Sequence, residues 1–111
     1  MRLQMRRIIF ATSLWISLIA ASPVTAEDHV IIQKDRAFSQ TEITIKPGDF
    51  IVFKNSDEVT HNVFSISSGM EFDIRRQAPG ASSSVVFAKE GVAEIRCSIH
   101  PRMKLIVTVK K

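Results

Sequence analysis

The sequence is short of the residues from which disulfide frameworks, zinc ribbons and catalytic pairs are most often built. Its 111 residues include one Cys, three His and no Tyr. A single Cys excludes an internal disulfide bond and any zinc or redox motif that needs paired cysteines. The length excludes a multi-domain enzyme, because one domain alone usually takes about 100–200 residues.

Positive charge is concentrated at the N-terminus of the chain. Three arginines within the first seven residues precede an uncharged, mostly apolar run of 14 residues that ends at Ala21, and small residues follow up to Ala26. This order is typical of a secretory signal peptide. We therefore predict a signal peptide at residues 1–26 and a single domain at residues 27–111. The apolar run is shorter than the roughly 20 residues of a membrane-spanning helix, and an uncleaved anchor is the alternative.

Removal of the predicted signal peptide would change the charge of the chain. The remaining 85 residues carry a formal net charge of +1, against +4 for the full sequence. They contain no stripe of Lys and Arg with interleaved aromatic residues, which argues against nucleic acid as a partner. They also contain no long apolar run, so no membrane contact is expected after cleavage. We expect a periplasmic or otherwise exported monomer, stabilised by a compact core, a metal ion or both.

The remaining chain alternates as β-strands do, and it contains no convincing amphipathic helix. Polar and apolar residues alternate over residues 42–46, and a Pro-Gly-Asp turn then leads into an apolar run. Residues 69–80 are the least regular part and are expected to form a loop or a short helical turn. The pattern predicts an all-β fold, a β-sandwich of seven to eight strands. The candidate strands are 29–33, 42–46, 50–54, 61–66, 71–74, 83–87, 92–97 and 105–109.

The segment at residues 97–103, where a predicted strand ends, carries the most informative chemistry. It places the Cys97 thiol, the His100 imidazole and the Met103 thioether at intervals of three residues. A thiolate, imidazoles and a weakly held thioether form the ligand set that suits copper cycling between Cu(I) and Cu(II). The second imidazole of such a set is available at His61, which begins another predicted strand 36 residues before the cysteine.

These motifs resemble those of the cupredoxins, the small blue copper proteins that include plastocyanin, pseudoazurin and amicyanin. The resemblance rests on His61-Asn62-Val63 and on the Cys-x-x-His-Pro-x-Met pattern of residues 97–103. It covers residues 38–109, and the short spacing around His100 is most similar to that of amicyanin. The resemblance implies a Greek-key β-sandwich with one copper ion.

The resemblance also implies a role for each residue of the motifs. In the family, the Asn after the first His ties the two ligand loops together, so Asn62 is expected to hydrogen-bond near Ser98. Many short-loop relatives have Pro where this chain has Ile99, whose N–H is expected to point at the cysteine sulfur. Because such a bond stabilises Cu(I), we expect Ile99→Pro to lower the reduction potential. The implied ligands are His61, Cys97 and His100, with Met103 as the long axial ligand.

The leading functional hypothesis is a one-electron carrier that transforms no substrate and is not an enzyme. In the family, the His of the C-terminal loop emerges through an apolar surface, so outer-sphere electron transfer is expected to pass through His100. Transient redox partners, of the cytochrome or periplasmic dehydrogenase type, are expected to dock there. Positive charge beside the loop, from Arg96, Arg102 and Lys104, is expected to steer an acidic partner towards it.

Two other functions stay open at this point. A periplasmic copper buffer or copper donor would use similar ligands, although such proteins tend to display Met or His clusters and residues 27–111 contain only two Met. A Cys-His nucleophile would need an orienting third group and an oxyanion pocket, which nothing in the pattern indicates. The third histidine, His29, has no partner at ligand spacing and is expected to be solvated.

Overall fold

The computed structural model describes residues 3–4, 8–17 and 26–111. Much of the predicted signal peptide, including residues 18–25, lies outside the described residues, so its cleavage stays a prediction. Residues 8–17 are exposed and form no regular secondary structure. No helix among the described residues has the length and hydropathy to cross a membrane.

Nine β-strands make up the described chain from Asp28 to Val109, and the secondary structure there includes no helix. The strands form two sheets, one of four strands and one of five. This confirms the predicted all-β sandwich. In chain order the strands are β1 (Asp28–Lys34), β2 (Ala37–Phe38), β3 (Glu42–Ile45), β4 (Phe50–Asn55), β5 (His61–Ser65), β6 (Phe72–Gln77), β7 (Ser82–Val86), β8 (Gly91–Arg96) and β9 (Lys104–Val109).

Both sheets are mixed. The first has the order β2-β1-β4-β7 and the second β3-β9-β8-β5-β6. Strand β1 pairs in parallel with β4, and β3 pairs in parallel with β9, whereas the other neighbours are antiparallel. Alternate side chains such as Phe53 in β4 and Leu105 in β9 are fully buried. Each such side chain stabilises the fold by about 1.5–3 kcal/mol relative to an exposed position.

Two details of the strand prediction are incomplete, and both have a local cause. Strand β2 was not predicted, because two residues are too few to show an alternation. Only residues 71–74 of the irregular segment 69–80 were a candidate strand, whereas β6 extends to Gln77 at the edge of its sheet. Its alternation is interrupted at Arg75, where φ is 62° and the pairing of β5 with β6 shifts register. A β-bulge of this kind adds one residue to a strand and hides its period.

The topology brings several strand ends to one end of the sandwich. Since β1 and β4 are parallel, their last residues, Lys34 and Asn55, lie at the same end. Strand β5 begins with His61, and β8, which runs antiparallel to it, ends with Arg96. The start of β5, the end of β8 and the loop that follows β8 are therefore neighbours.

Candidate metal centre

The pairing of β5 with β8 positions the start of the loop between β8 and β9, residues 97–103, which we call the ligand loop. Phe64 pairs with Arg96 in an antiparallel register. If this register is continued by two places, Asn62 lies opposite Ser98, just beyond the end of β8. Cys97 thus lies at the point where the second sheet ends and the loop begins. Its side chain is buried, with 1% exposure, as part of the hydrophobic core.

The loop from β8 to β9 closes by hydrogen bonds of its own. The Met103 N–H donates to the His100 carbonyl at 3.0 Å, which turns the chain back towards β9. The Arg96 guanidinium donates to the Pro101 carbonyl at 3.1 Å and contacts Glu94 at 2.9 Å. This arginine therefore supports the loop, and its charge is partly neutralised by the neighbouring carboxylate.

Three of the predicted ligand atoms converge on one point. The Nδ1 atoms of His61 and His100 lie 3.0 Å apart, and Cys97 Sγ lies 3.8 Å from the first and 3.9 Å from the second. The circle through these three atoms has a radius of about 2.1 Å. Bonds from a metal to imidazole nitrogen and to thiolate sulfur measure about 2.0–2.1 Å and 2.3 Å for zinc, an ion of similar size. The three side chains therefore fit a single first-row metal ion.

Burial differs among the predicted ligands. His61 is fully buried and Met103 is 2% exposed, whereas His100 is only half-buried. Met103 belongs to the same core cluster as Cys97 and directly precedes β9. A buried thioether at the end of a loop that also carries a thiol and an imidazole is a donor set typical of copper rather than of Zn²⁺ or Ca²⁺.

The contacts of the two imidazoles bear on how each can bind a metal ion. His61 Nε2 lies 2.9 Å from Asp57 Oδ2, and because a carboxylate only accepts, Nε2 donates and the neutral ring keeps its lone pair on Nδ1. The pKa of His100 is lowered, first by burial and then by the charges of His61 and Arg36. The lowered pKa favours His100 as a neutral ligand.

Asn62 connects β5 with the ligand loop at three points. Its Oδ1 accepts hydrogen bonds from the Ser98 N–H at 2.7 Å and from the Ser98 hydroxyl at 2.8 Å. Its own N–H donates to Cys97 Sγ at 3.4 Å. The sulfur thus accepts from Asn62, and the bond expected from the Ile99 N–H is not formed among the described residues. The expected effect of Ile99→Pro on the potential loses its basis, since the donor lies on the other strand.

Asp57 contacts the candidate site and was missed from the sequence. It lies in the polar Asn-Ser-Asp-Glu segment that begins at the last residue of β4, where an acidic residue is usually solvated. Its carboxylate nevertheless accepts from the Arg36 N–H and from His61, and these two hydrogen bonds hold the pKa of Asp57 well below its usual range. The spacing of four residues to a candidate ligand His is the sequence signal that could have identified it.

His29 is only partly solvated, whereas a solvated side chain was expected from the sequence. Its Nε2 lies 3.1 Å from Asp49 Oδ2, and Glu27 is close enough to complete a cluster of three polar side chains. The Asp49 carboxylate also accepts from the N–H groups of Glu27 and Lys46. The surrounding surface includes Lys46, Lys110 and Lys111. Both Asp49 oxygens accept hydrogen bonds, and through them the cluster connects β1 with the residue that precedes β4.

Comparison with known proteins identifies the family of this fold and site. The sequence model of the copper binding proteins, plastocyanin/azurin family, matches residues 26–110. The methylamine utilization protein MauL of Methylorubrum extorquens is 27% identical over 93 residues, which cover 81% of this chain and 82% of MauL.

Solved structures with the same fold include two kinds of small copper protein. A purple cupredoxin from Nitrosopumilus maritimus is 28% identical with a TM-score of 0.65, covering 73% of this chain and 98% of its own. An amicyanin variant in the Cu(I) form is 21% identical with a TM-score of 0.69, covering 79% of this chain and 87% of its own. The chain therefore belongs to the plastocyanin/azurin family of copper-binding proteins, the cupredoxins, and is an electron-transfer protein whose cofactor is one copper ion.

Proposed function

We propose that this chain is an exported one-electron carrier that holds copper between His61 Nδ1, Cys97 Sγ and His100 Nδ1. The observation that supports this proposal is the convergence of these three donor atoms on one buried point. When bound, copper supplies one-electron chemistry by alternating between Cu(I) and Cu(II). Amicyanins of the same fold are described in both an oxidised form and a reduced Cu(I) form.

The contribution of the protein is to keep the donor atoms nearly fixed. The three bonds of Asn62 hold the ligand loop against β5, and the burial of Cys97 excludes water from its sulfur. The thiol must lose its proton to act as a ligand, and the metal ion itself favours that loss. Donor atoms that move little between the two oxidation states suit rapid electron exchange.

A visible spectrum of the copper-loaded protein tests the proposed ligand set. We expect an intense blue thiolate-to-Cu(II) absorption band that disappears in Cys97→Ser, because a hydroxyl cannot replace the thiolate as a charge-transfer donor. Ser98→Ala, which changes the adjacent loop residue only, should keep the band. A colourless Cu(II) complex of the natural sequence would refute the proposal.

Met103 is the proposed axial ligand, and the chain offers an internal control. Met70 is the other methionine of residues 27–111, and it packs against the core beside Gly91, away from the ligand loop. Met103→Leu should therefore alter the absorption spectrum and the reduction potential of the copper protein, whereas Met70→Leu should alter neither. Equal spectra for the two variants would remove Met103 from the ligand set.

Retention of copper separates a carrier from a copper buffer or donor. We propose the carrier because two of the donor-bearing side chains, His61 and Cys97, are almost completely buried. The carrier should keep its copper through repeated oxidation and reduction in the presence of a competing chelator. Loss of the ion in each reduced phase would favour the donor instead. Copper-bound Cys97 should also resist alkylation, unlike the free thiol that a Cys-His nucleophile would require.

The proposed docking surface for a redox partner surrounds His100, which we call the His100 face. Ile99 is 47% exposed and, together with Pro101 and Val59, gives this surface an apolar centre. Positive side chains outnumber the single acidic residue that lines it, so an acidic partner of the transient redox type fits best. The charged residues of the His100 face are Arg36, Arg76, Arg102 and Asp35.

A small anionic redox reagent tests whether the His100 face is positively charged. The reduced protein should transfer its electron to ferricyanide, an anion, with a rate that falls as salt is added, because screening acts within about 8–10 Å at physiological salt. Arg102→Gln should lower this rate, whereas Lys89→Gln, between β7 and β8, should not. A rate that is independent of salt would contradict the proposed polarity.

A further inference from the structure

We propose that Asp57 is a positioning residue that fixes His61 and shifts the copper site towards Cu(II). The inference rests on the proposed function for the presence of copper, and it goes further by naming the group that sets the preference between the two oxidation states. It is carried by the position of one carboxylate behind a ligand imidazole.

The Asp57 carboxylate is almost completely enclosed. Its Oδ2 accepts from His61 Nε2 at 2.9 Å and from the Arg36 N–H at 2.8 Å, and its Oδ1 accepts from the Glu58 N–H at 2.9 Å. The side chain of Asp57 is 10% exposed and that of His61 is 0% exposed. Little solvent therefore screens the carboxylate from the imidazole, and the interaction is stronger than it would be at the surface.

Three parts of the chain hold this carboxylate in place. The two-residue loop between β1 and β2, Asp35-Arg36, has φ values of 52° and 56°, as in a type I′ turn. The central N–H groups of such a turn lie outside the strand pairing. The Arg36 N–H is one of them, and it donates to the Asp57 carboxylate. On the other side, Asn55 Oδ1 accepts the Asp57 N–H at 2.9 Å. A side chain held from β1–β2, from β4 and from its own loop has little freedom to leave His61.

The contact has two separate consequences for His61. The first is orientation, because a donor at Nε2 leaves Nδ1 as the lone-pair atom that faces Cys97 and His100. The second is electronic: a carboxylate that accepts a hydrogen bond from the Nε2–H group increases the basicity of the ligand nitrogen. A more basic nitrogen favours the more highly charged Cu(II) ion, and the reduction potential falls. A neutral acceptor would supply the orientation with much less of the electronic effect.

Asp57→Asn separates the two consequences. Since His61 and Arg36 both donate to one oxygen of Asp57, the single amide oxygen of Asn can accept both bonds while the negative charge is lost. We expect the reduction potential of the copper protein to rise. A tenfold change in the ratio of Cu(II) to Cu(I) affinity equals about 59 mV for one electron, and we expect a change on the order of tenfold.

The chain contains a matched control for this substitution. Asp49 also accepts backbone N–H groups and a histidine Nε2, that of His29, at 3.1 Å. Asp49 directly precedes β4, whereas Asp57 lies two residues after the end of β4. The six residues of this strand extend about 20 Å. Asp49→Asn therefore removes the same kind of charged contact far from the site, and it should leave the reduction potential unchanged.

The experiment is voltammetry of the copper-loaded full domain for the natural sequence, Asp57→Asn and Asp49→Asn. A higher potential in Asp57→Asn alone supports the inference, and equal potentials in all three overturn it. If the natural protein gives no blue band, the proposed function fails instead, so the two failures are distinguishable.

A measurement on the natural sequence keeps the inference testable if Asp57→Asn does not fold. Nitrogen NMR of the imidazoles in the Cu(I) protein should show the His61 proton on Nε2, protected from exchange with solvent. A proton on Nδ1, or rapid exchange at Nε2, would overturn the assignment of Asp57 as the residue that positions His61.

Discussion

At the residue scale, the amide side chain of Asn62 connects the two chain segments that carry the proposed ligands. One oxygen atom accepts both hydrogen bonds from Ser98, and the backbone N–H of the same residue reaches Cys97 Sγ. Neighbours that orient metal ligands commonly affect metal affinity by about 10–100-fold when they are replaced. The position of the sulfur therefore depends on a residue that is not itself a proposed ligand.

Asn62→Ala should lower copper affinity by about 10–100-fold, because the loop loses both bonds to the Asn62 side chain. Ser98→Ala is the graded control, since it removes the hydroxyl bond and keeps the N–H bond at 2.7 Å. Competition with a chelator of known copper affinity measures both variants. If Ser98→Ala lost as much copper affinity as Asn62→Ala, the hydrogen bond from the Ser98 N–H would contribute nothing, contrary to this prediction.

A second residue-scale prediction concerns two buried glutamines. Gln33 and Gln77 are 0% and 1% exposed, and among the described residues neither amide atom of the Gln33 side chain has a hydrogen-bond partner. An unpaired buried polar group costs about 1–3 kcal/mol. Gln33→Met, which keeps the shape of the side chain, should therefore raise the urea midpoint of unfolding.

Gln77→Met is the control for that substitution. Gln77 Nε2 donates to the Phe53 carbonyl at 2.9 Å, so its replacement leaves a buried carbonyl without this donor. The urea midpoint of Gln77→Met should stay level or fall. If Gln33→Met is instead less stable than the natural sequence, the Gln33 amide has a partner that the described residues do not include.

At the element scale, the turn between β1 and β2 combines unfavourable backbone angles with a specific contact. Neither Asp35 nor Arg36 is glycine, yet both have positive φ. A left-handed conformation costs an ordinary residue about 1–2 kcal/mol. The same geometry presents the Arg36 N–H to Asp57 at 2.8 Å. The turn thus links the first sheet to the loop that precedes His61.

Replacement of Asp35-Arg36 by Asn-Gly, the pair favoured in type I′ turns, should raise the free energy of unfolding by about 1 kcal/mol. The N–H that Asp57 accepts is kept, because glycine also has one. Urea denaturation of the metal-free protein measures the change, with Asp35→Asn alone as the intermediate case. Lower stability of the double variant would show that the arginine side chain stabilises the turn.

The individual strands and contacts differ in how well the sequence predicts them. Eight strands were predicted because one face of each is buried, which makes the alternation visible. Strand β2 was too short for this signal, and the bulge at Arg75 hid the second half of β6, so only residues 71–74 were predicted there. The motif around Cys97 predicted a local cluster, whereas the contact of Asp57 with Arg36 depends on the parallel pairing of β1 with β4. Pairing between distant strands is not encoded in any local pattern.

At the scale of the whole molecule, two Asp–His contacts at the two ends of β1 and β4 contribute to acid sensitivity. The pKa of Asp49 is lowered to about 2 from 3.8, first by the Lys46 N–H, then by His29 and by the Glu27 N–H. The pKa of Asp57 is lowered as well, first by the Arg36 N–H. Carboxyl groups with lowered pKa values in the folded state stabilise it above the unfolded pKa, and this stabilisation is lost as the pH falls.

Asp49→Asn should therefore make the thermal midpoint of unfolding depend less on pH in the acid range. For the natural sequence, the contribution of Asp49 is fully present above about pH 4 and decreases as the pH falls towards 2. The variant lacks this contribution, so its thermal midpoint should be lower at pH 6 and should approach that of the natural protein near pH 2. Thermal unfolding of the metal-free proteins over this pH range measures the difference. If the thermal midpoints of the two proteins differed by the same amount at every pH, Asp49 would not be a source of the acid sensitivity.

The chain separation between His61 and the ligand loop has a kinetic consequence. The two segments lie 36 residues apart and are brought together where β5 pairs with β8. Contacts between distant parts of a chain form slowly, because a long loop must close first. The blue colour of refolding, copper-loaded chains would then appear late, and its appearance would time the closure of the sandwich.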